Sequence, residues 1–307
     1  MIRILICDAI SSDALAKLKT FKNVEVTVKT GLGKEELLET VPGHHCMIVR
    51  SATKATADLI EAAKKDLKLI IRGGVGVDNI DVAKAAELGV QVRNTPGASS
   101  ASVAEMAIGL MFAIARKISF ADASIKAGNW PKKECKGFEL GGKTLGVLGF
   151  GRIGRETARR ALALGMKVMA HDPFVGCIDM EGVKLVSKED LVRNSDIITL
   201  HMPFDPKNGP VLGTAEFSEM KKGVCIVNCA RGGVVDEKAL VAAIDSGRVA
   251  GAGLDVFENE PPLYREVVEK GNVICTPHVG AQTDEAQLRV GDEIVEIIED
   301  WIRSTAG

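Results

Sequence analysis

Aromatic residues are scarce in this sequence, 4% of 307 positions with a single Tyr, and net charge is nearly absent, with 39 basic against 41 acidic side chains. So few rings leave no stacking platform for single-stranded nucleic acid. Balanced charge without a run of Lys or Arg removes the electrostatic footprint of a polyanion binder. No apolar run is long enough to span a bilayer. The longest, from Ala101 to Ala115, is interrupted by Ser102 and Glu105, and about 20 residues are needed. The start, Met-Ile-Arg-Ile-Leu-Ile-Cys-Asp, lacks a basic region followed by a longer apolar core and cleavage site. Asn-x-Ser/Thr and Cys-x-x-Cys are missing, and the seven Cys stand singly, so neither a disulfide framework nor a metal site is expected. These absences predict a reduced, cytoplasmic protein with no nucleic-acid or membrane partner.

Glycine, by contrast, is prominent at 32 residues and falls in clusters, as where backbone must approach a ligand closely. Short β-branched runs alternate with helix-period segments from end to end, which predicts βα units, parallel sheets and an α/β fold. The first series runs from Ile2–Cys7 to Val90–Val92 and is interrupted at Pro96-Gly97. Asn94–Ser100 reads as a hinge or domain boundary. Ser102-Val-Ala-Glu105 then spells a capping box opening a long apolar helix to about Arg116. A second series starts at Lys143–Gly149 and ends near Ile274–Thr276. From Thr283 to Arg303 one more helix is expected. Ile294, Ile297, Ile298, Trp301 and Ile302 form one apolar face on it, which must dock on something; the first series is one candidate surface.

Gly149-Phe-Gly151-Arg-Ile-Gly154 follows the strand Thr144–Leu148 and opens a helix to about Leu164. The three glycines suit a tight turn, backbone access for a pyrophosphate and close helix–strand packing, and the helix N-terminus offers N–H groups to phosphate. The next strand ends at Asp172, placed to accept both ribose hydroxyls and to repel a 2′-phosphate. Strand, motif, helix, strand and acid together predict NAD rather than NADP. Gly73-Gly74-Val75-Gly76-Val-Asp78-Asn79 also follows a strand, but Asn79 stands where the fingerprint's third glycine would fall. That loop is either an ordinary tight turn or a set of N–H groups open to a small anion.

Of five His, His44 and His45 lie in a polar loop and read as surface residues, while His171 and His201 end strands. His278 lies in Thr276-Pro-His-Val-Gly280, a loop after a strand. Arg231 follows the strand Val224–Val227 and Glu260 follows Gly251–Leu254. Three strand ends of one sheet thus present Arg, Glu and His, which is where catalytic groups of α/β folds collect.

These residues, with Ile48-Val-Arg-Ser-Ala-Thr-Lys54, Arg72–Asp81, Val227–Glu237, Ala252–Glu258 and Pro277–Thr283, make nearly the whole chain similar to the D-2-hydroxyacid dehydrogenases, and most similar to their phosphoglycerate dehydrogenase branch. The resemblance implies two doubly wound parallel-sheet domains. A Rossmann NAD-binding domain (99–281) would be inserted in a flavodoxin-like substrate domain (1–98 and 282–307). It implies catalytic roles for Arg231, Glu260 and His278. The His would exchange a proton with the substrate oxygen, the Glu would hydrogen-bond the imidazole, and the Arg would grip the 2-oxo acid and stabilise a developing alkoxide. It implies cofactor contacts at Gly149, Gly151, Arg152, Ile153, Gly154, Asp172, Met202, Cys229, Ala230, Asp255 and Gly280, with Asp255 the acceptor for the nicotinamide amide. Val75 and Gly76 would hold the substrate carboxylate and Arg50 its phosphate. A homodimer paired through the Ser102–Arg116 helix is implied as well.

Two departures stand out: Met202 replaces a frequent Thr beside the cofactor, and the segment after Pro96 differs. The chain also stops after the last helix, so no regulatory C-terminal domain, and no serine feedback through one, is expected. The expected activity is NAD-dependent oxidation of 3-phospho-D-glycerate to 3-phosphohydroxypyruvate, at the entry to serine synthesis. A hydroxypyruvate or glyoxylate reductase is the nearer alternative. An NAD(H)-sensing co-repressor is the alternative of another class.

Overall fold

The computed structural model describes residues 1–305. In chain order the elements are β1 (Ile2–Ile6), α1 (Ser12–Lys19), β2 (Val24–Val28), α2 (Lys34–Thr40), β3 (Cys46–Val49), α3 (Ala57–Ala62), β4 (Leu69–Arg72), α4 (Val82–Glu87) and β5 (Gln91–Asn94). Two helices follow, α5 (Ser100–Ala115) and α6 (Ile118–Lys126). The second series comprises β6 (Thr144–Leu148), α7 (Arg152–Ala163), β7 (Lys167–His171), β8 (Val183–Leu185), α8 (Lys188–Asn194), β9 (Ile197–Leu200) and α9 (Thr214–Glu219). It ends with β10 (Val224–Asn228), α10 (Glu237–Asp245), β11 (Val249–Leu254), α11 (Arg265–Glu269) and β12 (Val273–Cys275), before α12 (Asp284–Thr305). The chain divides into two compact units. One is Met1–Ser99 with the segment from Ala281, the other Ser100–Gly280.

The first unit holds a five-stranded parallel sheet in the order β2-β1-β3-β4-β5, the flavodoxin-like winding. Parallel strands covered by helices on both faces read as continuous apolar runs, and all four residues of β3, Cys-Met-Ile-Val, are buried. Alternate side chains serve opposite faces. Leu5, Met47 and Ile70 pack with Leu59 and Ile60 of α3, whereas Ile4, Ile48 and Ile71 pack with Val290, Ile294, Ile298 and Trp301 of α12. Each such aliphatic side chain contributes roughly 1.5–3 kcal/mol by leaving water. The expected apolar face of α12 is thus the one that docks, and the first sheet is what receives it.

The second unit holds a seven-stranded parallel sheet, β12-β11-β10-β9-β6-β7-β8. Its strand order reverses between β6 and β9, the switch point where α/β sheets bind ligands at the carboxyl edge. Val103, Ala107, Leu110 and Met111 of α5 cover one face with Ala158 and Ala161 of α7; Leu148, Leu200, Ile226 and Leu254 fill the other. Gly251 and Gly253 let α5 lie close on β11, since a Cβ at Gly253 would be 2.9 Å from the Cβ of Leu110.

Two expectations need correction. The capping box at Ser102–Glu105 does not open α5, which starts two residues earlier at Ser100. The Glu105 carboxylate instead takes a hydrogen bond from Arg160 at 2.9 Å, a partner on α7 that outcompetes a local cap. Nor are His44 and His45 plain surface residues: both are half-buried, and the His45 ring accepts the Arg3 N–H at 3.0 Å. Burial and then the Arg3 charge push the His45 imidazole down. A helix not expected from the sequence, α6, exposes Ile118, Phe120 and Ile125. Among the described residues no helix is long and apolar enough to cross a membrane.

Candidate active site

Loops after β10, β11 and β12 carry Arg231, Glu260 and His278 to the carboxyl edge of the second sheet. His278 Nδ1 lies 2.8 Å from Glu260 Oε2, the two side chains 39% and 40% exposed. Burial raises the Glu260 carboxyl, but the His278 hydrogen bond and charge, the Phe257 N–H and the Arg231 charge outweigh it and hold it below the usual carboxylate range. An ionised carboxylate only accepts, so Nδ1 carries the hydrogen. Nε2 is then left for substrate.

Asp255 fixes the His278 loop. It is 1% exposed; its carboxylate takes the Thr276 hydroxyl, the Val279 N–H at 2.9 Å and the Gly280 N–H at 2.8 Å. Asn228 does the same for the Arg231 loop. Its amide donates to the Arg231 carbonyl at 2.9 Å, and its Oδ1 accepts the Ala230 N–H at 3.0 Å. Cys229, between them, is a protonated thiol: burial, then the Asp255 charge, pushes it far up.

At the β6–α7 turn each glycine answers a different steric demand. Gly149 has φ 87 and no room for a Cβ beside the His201 carbonyl, with Met202 3.0 Å away; at Gly154 a Cβ would overlap the Gly149 carbonyl. Gly151, the N-cap of α7, faces open space, with nothing within 4 Å of where a Cβ would stand. Arg152 and Ile153 follow in the first turn. Asp172 accepts the Phe150 N–H at 2.8 Å and the Phe174 N–H at 2.9 Å, one per oxygen, and each oxygen keeps a lone pair for a hydroxyl. An open cradle at a helix N-terminus with a carboxylate beyond it fits a dinucleotide.

In the first unit, Arg50, Val75 and Gly76 lie beyond β3 and β4. Thr95 N–H donates to the Gly74 carbonyl at 3.1 Å, and the Asn94 side chain donates to the Val75 carbonyl. A trans peptide points its N–H opposite its C=O, so these two bonds aim the Val75 and Gly76 N–H groups away from β5. Asp8 receives the Arg50 N–H and, at 2.9 Å, the Thr53 hydroxyl. Asn79 donates to the Arg50 and Thr53 carbonyls at 2.6 Å.

Residues 108–280 match the sequence profile of the D-isomer specific 2-hydroxyacid dehydrogenase, NAD binding domain. The chain is 50% identical over 299 residues to a hydroxypyruvate reductase of Thermotoga maritima, covering 96% of this chain and 97% of that one. It is 49% identical over 306 residues to a D-3-phosphoglycerate dehydrogenase of Methanocaldococcus jannaschii, covering 99% of this chain but 58% of that one. Its structure is similar to that of a D-lactate dehydrogenase from Aquifex aeolicus complexed with NAD and lactic acid, with a TM-score of 0.86, 30% identity, and 98% and 96% of the two chains covered.

The chain belongs to the D-isomer-specific 2-hydroxyacid dehydrogenases. It is an NAD-dependent oxidoreductase acting on a small molecule, and its two parallel-sheet units have the fold of that family. Within the dehydrogenase's second unit the structure brings Arg231, Glu260 and His278 into one network with Asp255, Cys229, Ala230 and Gly280. Gly149, Gly151, Gly154, Asp172 and Met202 sit around the β6–α7 turn. His201 is buried apart from Arg231, Glu260 and His278. Its Nε2 meets the Thr199 hydroxyl at 3.0 Å, and burial pushes its ring down to about 3. Asp8, Asn79, Asn94, Thr95 and Asn228, which hold the loops, were not signalled by the sequence. Asn79 stood in the marked loop 73–79, Asn94 and Thr95 in the hinge and Asn228 in the segment 227–237, but none was marked for this role.

Proposed function

We propose that this dehydrogenase oxidises 3-phospho-D-glycerate to 3-phosphohydroxypyruvate, the first step of L-serine biosynthesis. When bound, NAD supplies the hydride acceptor for the substrate's C2. Gly149, Gly151, Arg152, Ile153 and Gly154 hold its pyrophosphate, and Asp172 its ribose. Asp255, Met202, Cys229, Ala230 and Gly280 line its nicotinamide half. The first unit is the substrate-binding domain, where the Val75 and Gly76 N–H groups take the carboxylate. His278 Nε2 receives the hydroxyl proton while Glu260 keeps the imidazole oriented, and the Arg231 guanidinium stabilises the negative charge growing on oxygen.

The observation that carries the phosphate reading is Arg50. Its backbone is fastened by Asp8 and Asn79, and its guanidinium Nε is buried without a hydrogen-bond partner. A buried, unsatisfied guanidinium donor is costly, and a phosphate oxygen would satisfy it. Assay with 3-phosphoglycerate and NAD, against a panel of unphosphorylated 2-hydroxy and 2-oxo acids, tests this; turnover confined to the unphosphorylated acids would overturn it. The 50% identity to a hydroxypyruvate reductase over nearly both full lengths favours that activity as the second reading. We also infer a cytoplasmic homodimer, paired through the exposed apolar face of α5 and α6. Phe112, Arg116, Ile118, Ala121 and Ile125 line a groove there of about 660 Å3.

A further inference from the structure

Two acidic residues outside the Arg–Glu–His set tie together the loops that carry it. Glu237, the first residue of α10, is 6% exposed, and its Oε1 accepts the Glu258 backbone N–H at 2.8 Å. Glu258 returns the bond: its Oε1 faces the Glu237 N–H at 3.4 Å. The segment leading away from Arg231 and the segment leading into Glu260 are thereby joined crosswise. Between them Gly232 lies directly against the Phe257–Glu258 peptide, where any Cβ would overlap the Phe257 carbonyl. The Phe257 N–H is itself taken by Glu260 Oε1 at 3.3 Å. Residues 257 and 258 are gripped from one side by Glu260 and from the other by Glu237.

This is a costly arrangement. An acidic residue in a helix's first turn ordinarily points to solvent and gains from the helix dipole there. Glu237 turns inward instead. Burial raises its carboxyl, the Glu258 N–H partly offsets this, and the charges of Glu258 and Asp236 add to the rise. A buried carboxylate next to two others is poor for stability, whereas fixing two reacting side chains to within a fraction of an ångström is what supporting residues of active sites do.

We propose that Glu237 and Glu258 form a reciprocal clamp that sets Arg231 against Glu260, which makes Glu237 a positioning residue for the reaction. The proposal rests on the reading of Arg231, Glu260 and His278 as the reacting groups. The clamp acts on the chemical step and leaves the β6–α7 turn untouched.

Steady-state kinetics of the full chain with NADH and either 3-phosphohydroxypyruvate or hydroxypyruvate, with NADH binding read by fluorescence, test it. Glu237→Ala and Glu258→Ala each lose about tenfold or more in kcat with NADH affinity unchanged. Glu237→Gln, whose Oε1 still accepts the Glu258 N–H, stays within about threefold of the parent. In a Glu260→Gln background Glu237→Ala costs less than about threefold more, because it acts through Glu260. The clamp is overturned if both alanine variants keep parental kcat, if Glu237→Gln is as slow as Glu237→Ala, or if the full loss persists in the Glu260→Gln background. If Glu237→Ala does not fold by circular dichroism, the exposed Glu258→Ala decides alone. Parental turnover in Glu260→Gln and His278→Gln would instead sink the assignment of the reacting groups, and the clamp with it. Loss in those two with none in the alanine variants sinks the clamp only.

Discussion

His278 meets Glu260 at 2.8 Å from a backbone in the left-handed region, φ 54. For a residue with a Cβ that conformation costs about 1 kcal/mol or more, and it persists because Asp255 collects the Thr276 hydroxyl and the Val279 and Gly280 N–H groups on both sides of the histidine. Glu260 engages the ring through Nδ1, so Nε2 is the ring nitrogen outside that contact.

His278→Gln tests the role of that ring. Glutamine keeps the polar reach toward Glu260 but cannot exchange a proton near neutral pH. Turnover is expected to fall about 10²- to 10⁴-fold while NADH affinity, read by fluorescence, stays within about threefold. A parental rate would remove His278 from the chemistry.

The β6–α7 turn was legible in the sequence because every requirement there is local: Gly149, Gly154 and Asp172 all lie within one βαβ unit, and their spacing carries the geometry. The loop Gly73–Gly76 was half legible. Its glycines were visible, but the bonds that aim its N–H groups come from Asn94 and Thr95, about 20 residues on. Asp8 reaches Arg50 across 42 residues, and Glu237 reaches Glu258 across 21. No periodicity links such partners; only the parallel order of the strands does. Glu105 is a like case: its spelling promised a cap, while its partner, Arg160, was 55 residues away.

Two glycines should part company when each gains a methyl group. Gly151 has φ −75 and open space around it, so Gly151→Ala should keep the parental melting temperature while weakening NADH binding about tenfold or more, because its Cβ enters the space for the pyrophosphate. Gly232 abuts the Phe257 carbonyl, so Gly232→Ala should lower the melting temperature or abolish folding. Unchanged NADH affinity in Gly151→Ala would place the pyrophosphate elsewhere.

The face of α5 and α6 gives a prediction about assembly. Ile118 is 51% exposed and Phe120 40%, and a charge on a buried contact is strongly unfavourable. Ile118→Glu should shift the chain from dimer to monomer in sedimentation equilibrium. A parent that already sediments as a monomer would refute the pairing.

Glu237 also makes stability depend on pH. Its carboxyl is raised by burial, with the Glu258 N–H opposing and the Glu258 and Asp236 charges adding. A carboxyl raised in the fold binds its proton more tightly there than in the unfolded chain, where the value is about 4.3. Its contribution is therefore full below that pH and is lost as pH rises through the folded value. Glu237→Gln cannot lose a proton. The variant should gain melting temperature relative to the parent as pH is raised from about 4 to 7, and a constant difference over that range would contradict the raised value.

Arg50 is where the two proposed substrates should part. Its guanidinium is fastened from behind by a hydrogen bond to the Ala9 carbonyl at 3.3 Å, its backbone by Asp8, and its stem packs against Gly73. Burial lowers its affinity for protons somewhat, with Asp8 opposing, yet an Arg stays charged at any working pH. A charge-assisted bond to a phosphate is worth about 1.5–3 kcal/mol, or roughly 10- to 150-fold in kcat/KM. Arg50→Ala should lose that factor for 3-phosphohydroxypyruvate and change kcat/KM for hydroxypyruvate by less than about threefold. Equal losses on both would show that Arg50 shapes the loop for any 2-oxo acid. No loss on the phosphorylated acid would remove the phosphate from this site and leave the reductase reading standing.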